Sequence, residues 1–200
     1  LRTETDLIIN EDESITKKPL VEGKFKRYDI ENTFKTTYKT YNRPIVGISK
    51  QIDDICERFF ADRNIKNLLD LVLGKNYKVY TFGVRKANDY SNFVGLHQDG
   101  YNQFSFSILL NDIDKSHPAT TFVAGSHKIP FKMNSKIESI NVKYFKKLLT
   151  PAVGKAGDIF FFYNRTFHGM QQGLNGKSGM VILCCLHPTG YDHQPWDLPD

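Results

Sequence analysis

Two hundred residues, 40% hydrophobic and 24% charged, make a chain of ordinary globular composition with interior enough for one substantial core. A net charge of +5 favours acidic small molecules or anionic glycans, but no Lys/Arg block interleaved with aromatics argues for nucleic-acid binding. Cys56, Cys184 and Cys185 make no disulfide framework and point to a reducing, cytoplasmic setting, while no signal peptide opens the chain and no apolar run nears the ~18 residues that span a bilayer.

Residues 1–44 are polar and broken by Lys17-Lys18-Pro19, Gly23 and Arg43-Pro44. They read as an irregular N-terminal segment with one short strand near Phe25–Ile30. The period changes within 45–74, the expected supporting helices. Ile48, Ile52, Ile55 and Phe59 share one helical face, and Asn64 is expected to cap a second helix carrying Ile65, Leu68, Leu69 and Val72, stopped by Gly74. Residues 76–187 hold the strands: Tyr77–Val84, Asn92–Asp99, Gln103–Leu110, Thr120–Ala124, Asp158–Tyr163 and Met180–His187, with a helical excursion over Lys136–Leu149. Residues 188–200 read as a tail. The 15 Phe and 10 Tyr suit packed sheet. The expected fold is mainly β with supporting helices, a sandwich or barrel of which a jelly roll is one form, in a single domain over 1–200. The first residue is Leu1, so excision from a longer chain fits equally well.

The chemistry gathers at Gly95-Leu96-His97-Gln98-Asp99-Gly100. On a strand, His97 and Asp99 leave the same face while Gln98 points away. One imidazole beside one carboxylate is two-thirds of the 2-His-1-carboxylate facial triad that holds Fe(II) with open positions for a cosubstrate and O2. The third ligand has to return from far along the chain. His168 qualifies, standing after the apolar run Ile159–Tyr163 and a short loop. Each residue alone is more often an ordinary polar or core group; the combination is what points to an Fe(II)-dependent oxygenase. Gly157-Asp158 reads as a turn rather than a ligand, and His127 in Gly125-Ser126-His127 as a loop hydrogen-bonder. A cosubstrate with two carboxylates also needs a fixed cation. Lys177, with Ser178 as a hydroxyl donor, precedes the last strand; Arg85, Lys86 and Arg165 are rivals.

From about Leu73 to His187 the chain resembles the phytanoyl-CoA dioxygenase family of Fe(II)/2-oxoglutarate oxygenases. The resemblance rests on His97-Gln98-Asp99, on Phe122-Val123-Ala124-Gly125-Ser126-His127-Lys128, and on Lys155-Ala156-Gly157-Asp158-Ile159-Phe160-Phe161 followed by Phe167-His168-Gly169. It implies a double-stranded β-helix, a cupin-like jelly roll. It also implies Fe(II), 2-oxoglutarate and O2 as cofactors, and His97, Asp99 and His168 as iron ligands. Gln98 would lie near 2-oxoglutarate, and the residue opening the last strand would grip its distal carboxylate. There the chain departs from the family, offering Lys177 where Arg is usual, and Met170 where a small hydroxyl residue is common. A carboxylate at Asp99 argues for hydroxylation over halogenation, since related halogenases lack one there.

The expected substrate is a small molecule or glycan, anionic ones included, with Tyr90 and Tyr101 flanking the His97–Asp99 strand. Two other readings stand beside this one. One is a cupin-like metal enzyme of another reaction type, and the other a non-catalytic β-sandwich that binds ligands or glycans.

Overall fold

The computed structural model describes residues 41–44, 50–87, 94–99, 102–128, 148–171, 173–174 and 176–188. The expected strand at Phe25–Ile30, most of the excursion at Lys136–Leu149, Tyr90, Tyr101 and the tail beyond 188 lie outside these residues.

Two antiparallel sheets organise the described residues. Strands β1 (Tyr41–Pro44), β2 (Tyr77–Ala87), β4 (Phe104–Leu109), β7 (Ile159–Tyr163) and β9 (Gly179–Pro188) form a five-stranded sheet in the order β1-β2-β9-β4-β7. Strands β3 (Val94–His97), β5 (Ala119–Val123), β6 (Leu149–Pro151) and β8 (His168–Gln171) form the second, in the order β3-β8-β5-β6. Apart from β1–β2 and β5–β6, paired strands are not consecutive in the chain, as in the expected cupin-like double-stranded β-helix.

Helices α1 (Lys50–Ala61) and α2 (Arg63–Leu73) cover one face of the larger sheet. Strand alternation explains how. Phe82 and Val84 of β2, Phe104 and Phe106 of β4, and Ile182, Cys184 and Leu186 of β9 project to one side, where they pack with Phe59, Phe60 and Leu69. Phe59 packs against Phe106 at 4.9 Å with the rings tilted by 38°, and Phe60 lies 5.9 Å from Phe82. Burying each such ring is worth about 2 kcal/mol, so the helices are held by packing more than by their own propensity. The same alternation sends Arg85, Ser105, Ser107 and Cys185 to the opposite face.

Four expectations change in detail. Asp62, not Asn64, caps α2: its carboxylate accepts from the amides of Asn64 at 2.9 Å and Ile65 at 3.1 Å, because the helix starts one residue earlier than Asn64. Residues 41–44 are not irregular but pair with β2. Leu149 opens a strand instead of closing a helix. Strand β2 runs past Val84 to Ala87, because Met180 and Gly179 of β9 supply pairing partners for Lys86 and Ala87. Gly74, at φ 80°, ends α2 as expected.

Candidate metal centre

The second sheet sets the site. His97 ends β3, and its register partner is His168, the first residue of β8, so both imidazoles leave one face of adjacent strands. Their ring centroids stand 4.4 Å apart. Asp99 lies two residues beyond the end of β3, not within a strand, yet it remains beside His97 because its amide donates to the Asn164 carbonyl at 3.0 Å. His97 Nε2 is 3.8 Å from Asp99 Oδ1, and His168 Nε2 is 3.3 Å from Asp99 Oδ2. One ligand atom from each of the three residues lies within 4.8 Å of the others, the metal-capable group of this size among the described residues.

The loop from β7 to β8 braces this constellation. Asn164 is buried, and its Nδ2 lies 3.4 Å from Asp99 Oδ2, 3.1 Å from Gln103 Oε1 and 3.4 Å from Cys185 Sγ. Gln98 donates its side-chain amide to the Arg165 carbonyl, tying the His97–Asp99 segment to the same loop. Ser126, in the turn after β5, accepts the Phe167 amide at 2.8 Å and so fixes the backbone just before His168. That turn needs Gly125 at φ 78°. His127 stacks on Tyr163 at 5.9 Å and is not in the three-residue group. Asp158 accepts the Lys155 amide at 2.8 Å in the turn before β7, the role its sequence context suggests.

Electrostatics favour a cation at the centre. Burial is the largest single influence on Asp99 and raises its carboxyl. The hydrogen bond with His168 and the charges of His168, His97 and Arg85 outweigh it and bring the group down to about 2. His168 Nδ1 lies 2.8 Å from the Thr166 carbonyl, which can only accept, so Nδ1 carries a proton; Nε2 faces Asp99 with a second proton in the imidazolium that lowers Asp99, and with a lone pair when a metal ion takes that proton's place. A lone pair facing a carboxylate oxygen at 3.3 Å calls for a positive charge between them, a proton or a metal ion. Two imidazoles and one carboxylate are the donor set of a non-haem Fe(II) facial triad, and they fit that ion. The His97 and Asp99 side chains stay 41% and 40% exposed, which leaves the centre approachable.

The other expected site residues divide. Arg85 lies on β2, partly buried, and its charge acts on Asp99. Lys177 and Ser178 stand exposed in the turn before β9, and Lys177 is not among the charges acting on Asp99. Gly179, which opens the strand, has no room for a side chain, since a Cβ there would collide with the Pro118 carbonyl. Sequence reasoning missed Asn164, which stands in the turn after β7 and carries no local motif.

The family model for phytanoyl-CoA dioxygenase matches residues 18–178. The chain belongs to the phytanoyl-CoA dioxygenase family. Its architecture also resembles several solved structures. HygX from Streptomyces hygroscopicus, with nickel and 2-oxoglutarate bound, is 15% identical over 76% of this chain and 71% of its own, at a TM-score of 0.61. AviO1 from Streptomyces viridochromogenes Tue57 is 18% identical over 67% and 61%, at 0.52. SnoN, a non-heme alpha-ketoglutarate-dependent epimerase from nogalamycin biosynthesis, is 17% identical over 71% and 64%, at 0.54. No curated protein matches the chain. At these identities the likeness speaks for the fold. The family assigns the chain an oxygenase-type activity dependent on iron and 2-oxoglutarate. No helix among the described residues is long and apolar enough to cross a membrane.

Proposed function

We propose that this chain is an Fe(II)/2-oxoglutarate-dependent dioxygenase that hydroxylates a small molecule or carbohydrate, with His97, Asp99 and His168 as the metal ligands. The observation that carries the reading is the convergence of two imidazole nitrogens and one carboxylate from β3, the following loop and β8. When bound, Fe(II) with 2-oxoglutarate and O2 supplies C–H oxidation, 2-oxoglutarate leaving as succinate and CO2.

The chain's own residues do the rest. Thr166 holds the His168 tautomer, Asn164 orients Asp99, and Ser126 fixes the backbone that delivers His168. A carboxylate at Asp99 occupies the position that a halogenating relative would leave vacant, which supports hydroxylation. A small-molecule substrate is supported by HygX, which has been crystallised with nickel, 2-oxoglutarate and hygromycin B. The three buried free thiols suit a reducing, cytoplasmic setting.

SnoN supports a second reading of the same centre, epimerisation. Hydroxylation adds one oxygen atom from O2 to the product, whereas epimerisation leaves its mass unchanged, so product mass under 18O2 separates the two. The test of the common core is Fe(II)-dependent succinate formation from 2-oxoglutarate. The wild type should form succinate; His97→Ala and Asp99→Ala should fall to background, a loss of at least about a hundredfold. Full turnover in either variant sinks the triad. Metal binding without any 2-oxoglutarate dependence would favour a cupin-like enzyme of another type, and folding and ligand binding indifferent to chelation would favour a β-sandwich binding domain.

A further inference from the structure

A 2-oxo acid gripped at its keto-acid end by the metal still has a distal carboxylate to neutralise. Family resemblance places the cation for this at the opening of the last strand, where Lys177 stands exposed in the turn and Gly179 leaves no room for a side chain. Gly179 abuts the Pro118 carbonyl, Ser178 is exposed with its carbonyl accepting from Asn111 Nδ2 at 3.2 Å, and Lys177 projects to solvent. The requirement has to be met from elsewhere.

The larger sheet offers an alternative on its site-facing side. Phe82 and Val84 pack against the helices, so Arg85 leaves β2 on the opposite face. Phe104 and Phe106 do the same on β4, which turns Ser105 and Ser107 to that opposite face. Ser107 is only 1% exposed, and its Oγ has no hydrogen-bond partner among the described residues. A buried hydroxyl without a partner is costly, and native structures rarely keep one without a use.

Strand register puts the two residues in reach of one ligand. Ser107 stands opposite Leu183 of β9, and Leu183 opposite Gly83 of β2, two residues before Arg85. Two strand spacings and two residue rises separate Arg85 from Ser107 by about 10 Å across the sheet and about 7 Å along it. A long arginine side chain and an extended dicarboxylate can close that gap. At the metal end, Ser105 stands opposite Cys185, whose sulfur contacts Asn164, and Asn164 contacts Asp99. The row from Asp99 past Ser105 to Ser107 therefore leads from the metal centre towards the strand position of Arg85. Arg85 presents five donors in a planar fork, enough to take a carboxylate alongside its existing contacts.

We propose that Arg85 on β2, with the Ser107 hydroxyl on β4, holds the distal carboxylate of 2-oxoglutarate in place of a cation at the opening of the last strand. The assignment rests on the metal-centre reading given under Proposed function.

The test is equilibrium binding without O2, by calorimetry on the nickel-loaded full chain, comparing 2-oxoglutarate with 2-oxobutyrate. The two acids share the keto-acid end, and only the first has a distal carboxylate. The wild type should prefer 2-oxoglutarate by at least about tenfold, as a charge-assisted contact implies. Arg85→Gln should bring the ratio close to one while leaving 2-oxobutyrate affinity in place. Arg85→Lys, which keeps the charge and the bulk, should give an intermediate ratio, and Ser107→Ala a severalfold loss. Lys177→Ala should keep the full preference. A wild-type ratio retained in Arg85→Gln or Arg85→Lys, or a ratio that collapses in Lys177→Ala, overturns the assignment. Failure of both acids to bind wild-type nickel protein would instead bring down the metal-centre reading and this inference with it.

Discussion

At the scale of single residues, the centre works through what each side chain is denied. Burial raises the Asp99 carboxyl, but its hydrogen bond with His168 and the charges of His168, His97 and Arg85 outweigh that and keep it ionised. His168 is kept in one tautomer because a carbonyl claims its Nδ1. Asn164 is the residue on which the carboxylate's aim depends, since its backbone carbonyl takes the Asp99 amide and its side chain reaches Asp99 Oδ2. Groups in this outer position typically change metal affinity by 10–100-fold. Asn164→Ala should therefore weaken Fe(II) or Ni(II) binding by about tenfold or more while the chain stays folded. Unchanged metal affinity, with a circular dichroism spectrum like the wild type's, would remove Asn164 from the account. The meeting of His97, Asp99 and His168 was legible in sequence because a metal triad demands particular side chains. Asn164, Ser107 and Ser126 were not, because a hydroxyl or an amide acquires its role only from the strand that happens to pass beside it.

At the scale of elements, alternation and capping govern what could be read. Helices α1 and α2 declared themselves through apolar spacing, and their aromatic contacts with β2 and β4 follow from it. Strand β8 was hidden: His168-Gly169-Met170-Gln171 is too short to show a period, and pairing with β3 and β5 alone makes it a strand. The extension of β2 to Ala87 was hidden likewise, since Arg85-Lys86 looks like a solvated exit until β9 is laid alongside. The cap of α2 offers a clean measurement. Asp62→Ala removes the acceptor for two amides and should lower unfolding stability by about 1 kcal/mol, whereas Asn64→Ala should cost less than half of that. Equal losses in urea-denaturation midpoints would return the cap to Asn64.

At the scale of the whole molecule, two sheets of strands distant in sequence bring His97 and His168 onto neighbouring strands, and two helices stiffen the outer face of the larger sheet. The family fold was legible from the order of three motif blocks. The choice among the candidate cations for the distal carboxylate was not, because it turns on which side of β2 Arg85 faces and on the lack of room for a side chain at Gly179, which only the folded chain reveals. The most direct measurement of the central claim is anomalous diffraction at the iron or nickel edge from crystals grown with that metal and 2-oxoglutarate. One strong peak should appear within about 2.2 Å of a nitrogen of His97, a nitrogen of His168 and an oxygen of Asp99. A peak elsewhere, or at this place without His168 in contact, would contradict the account.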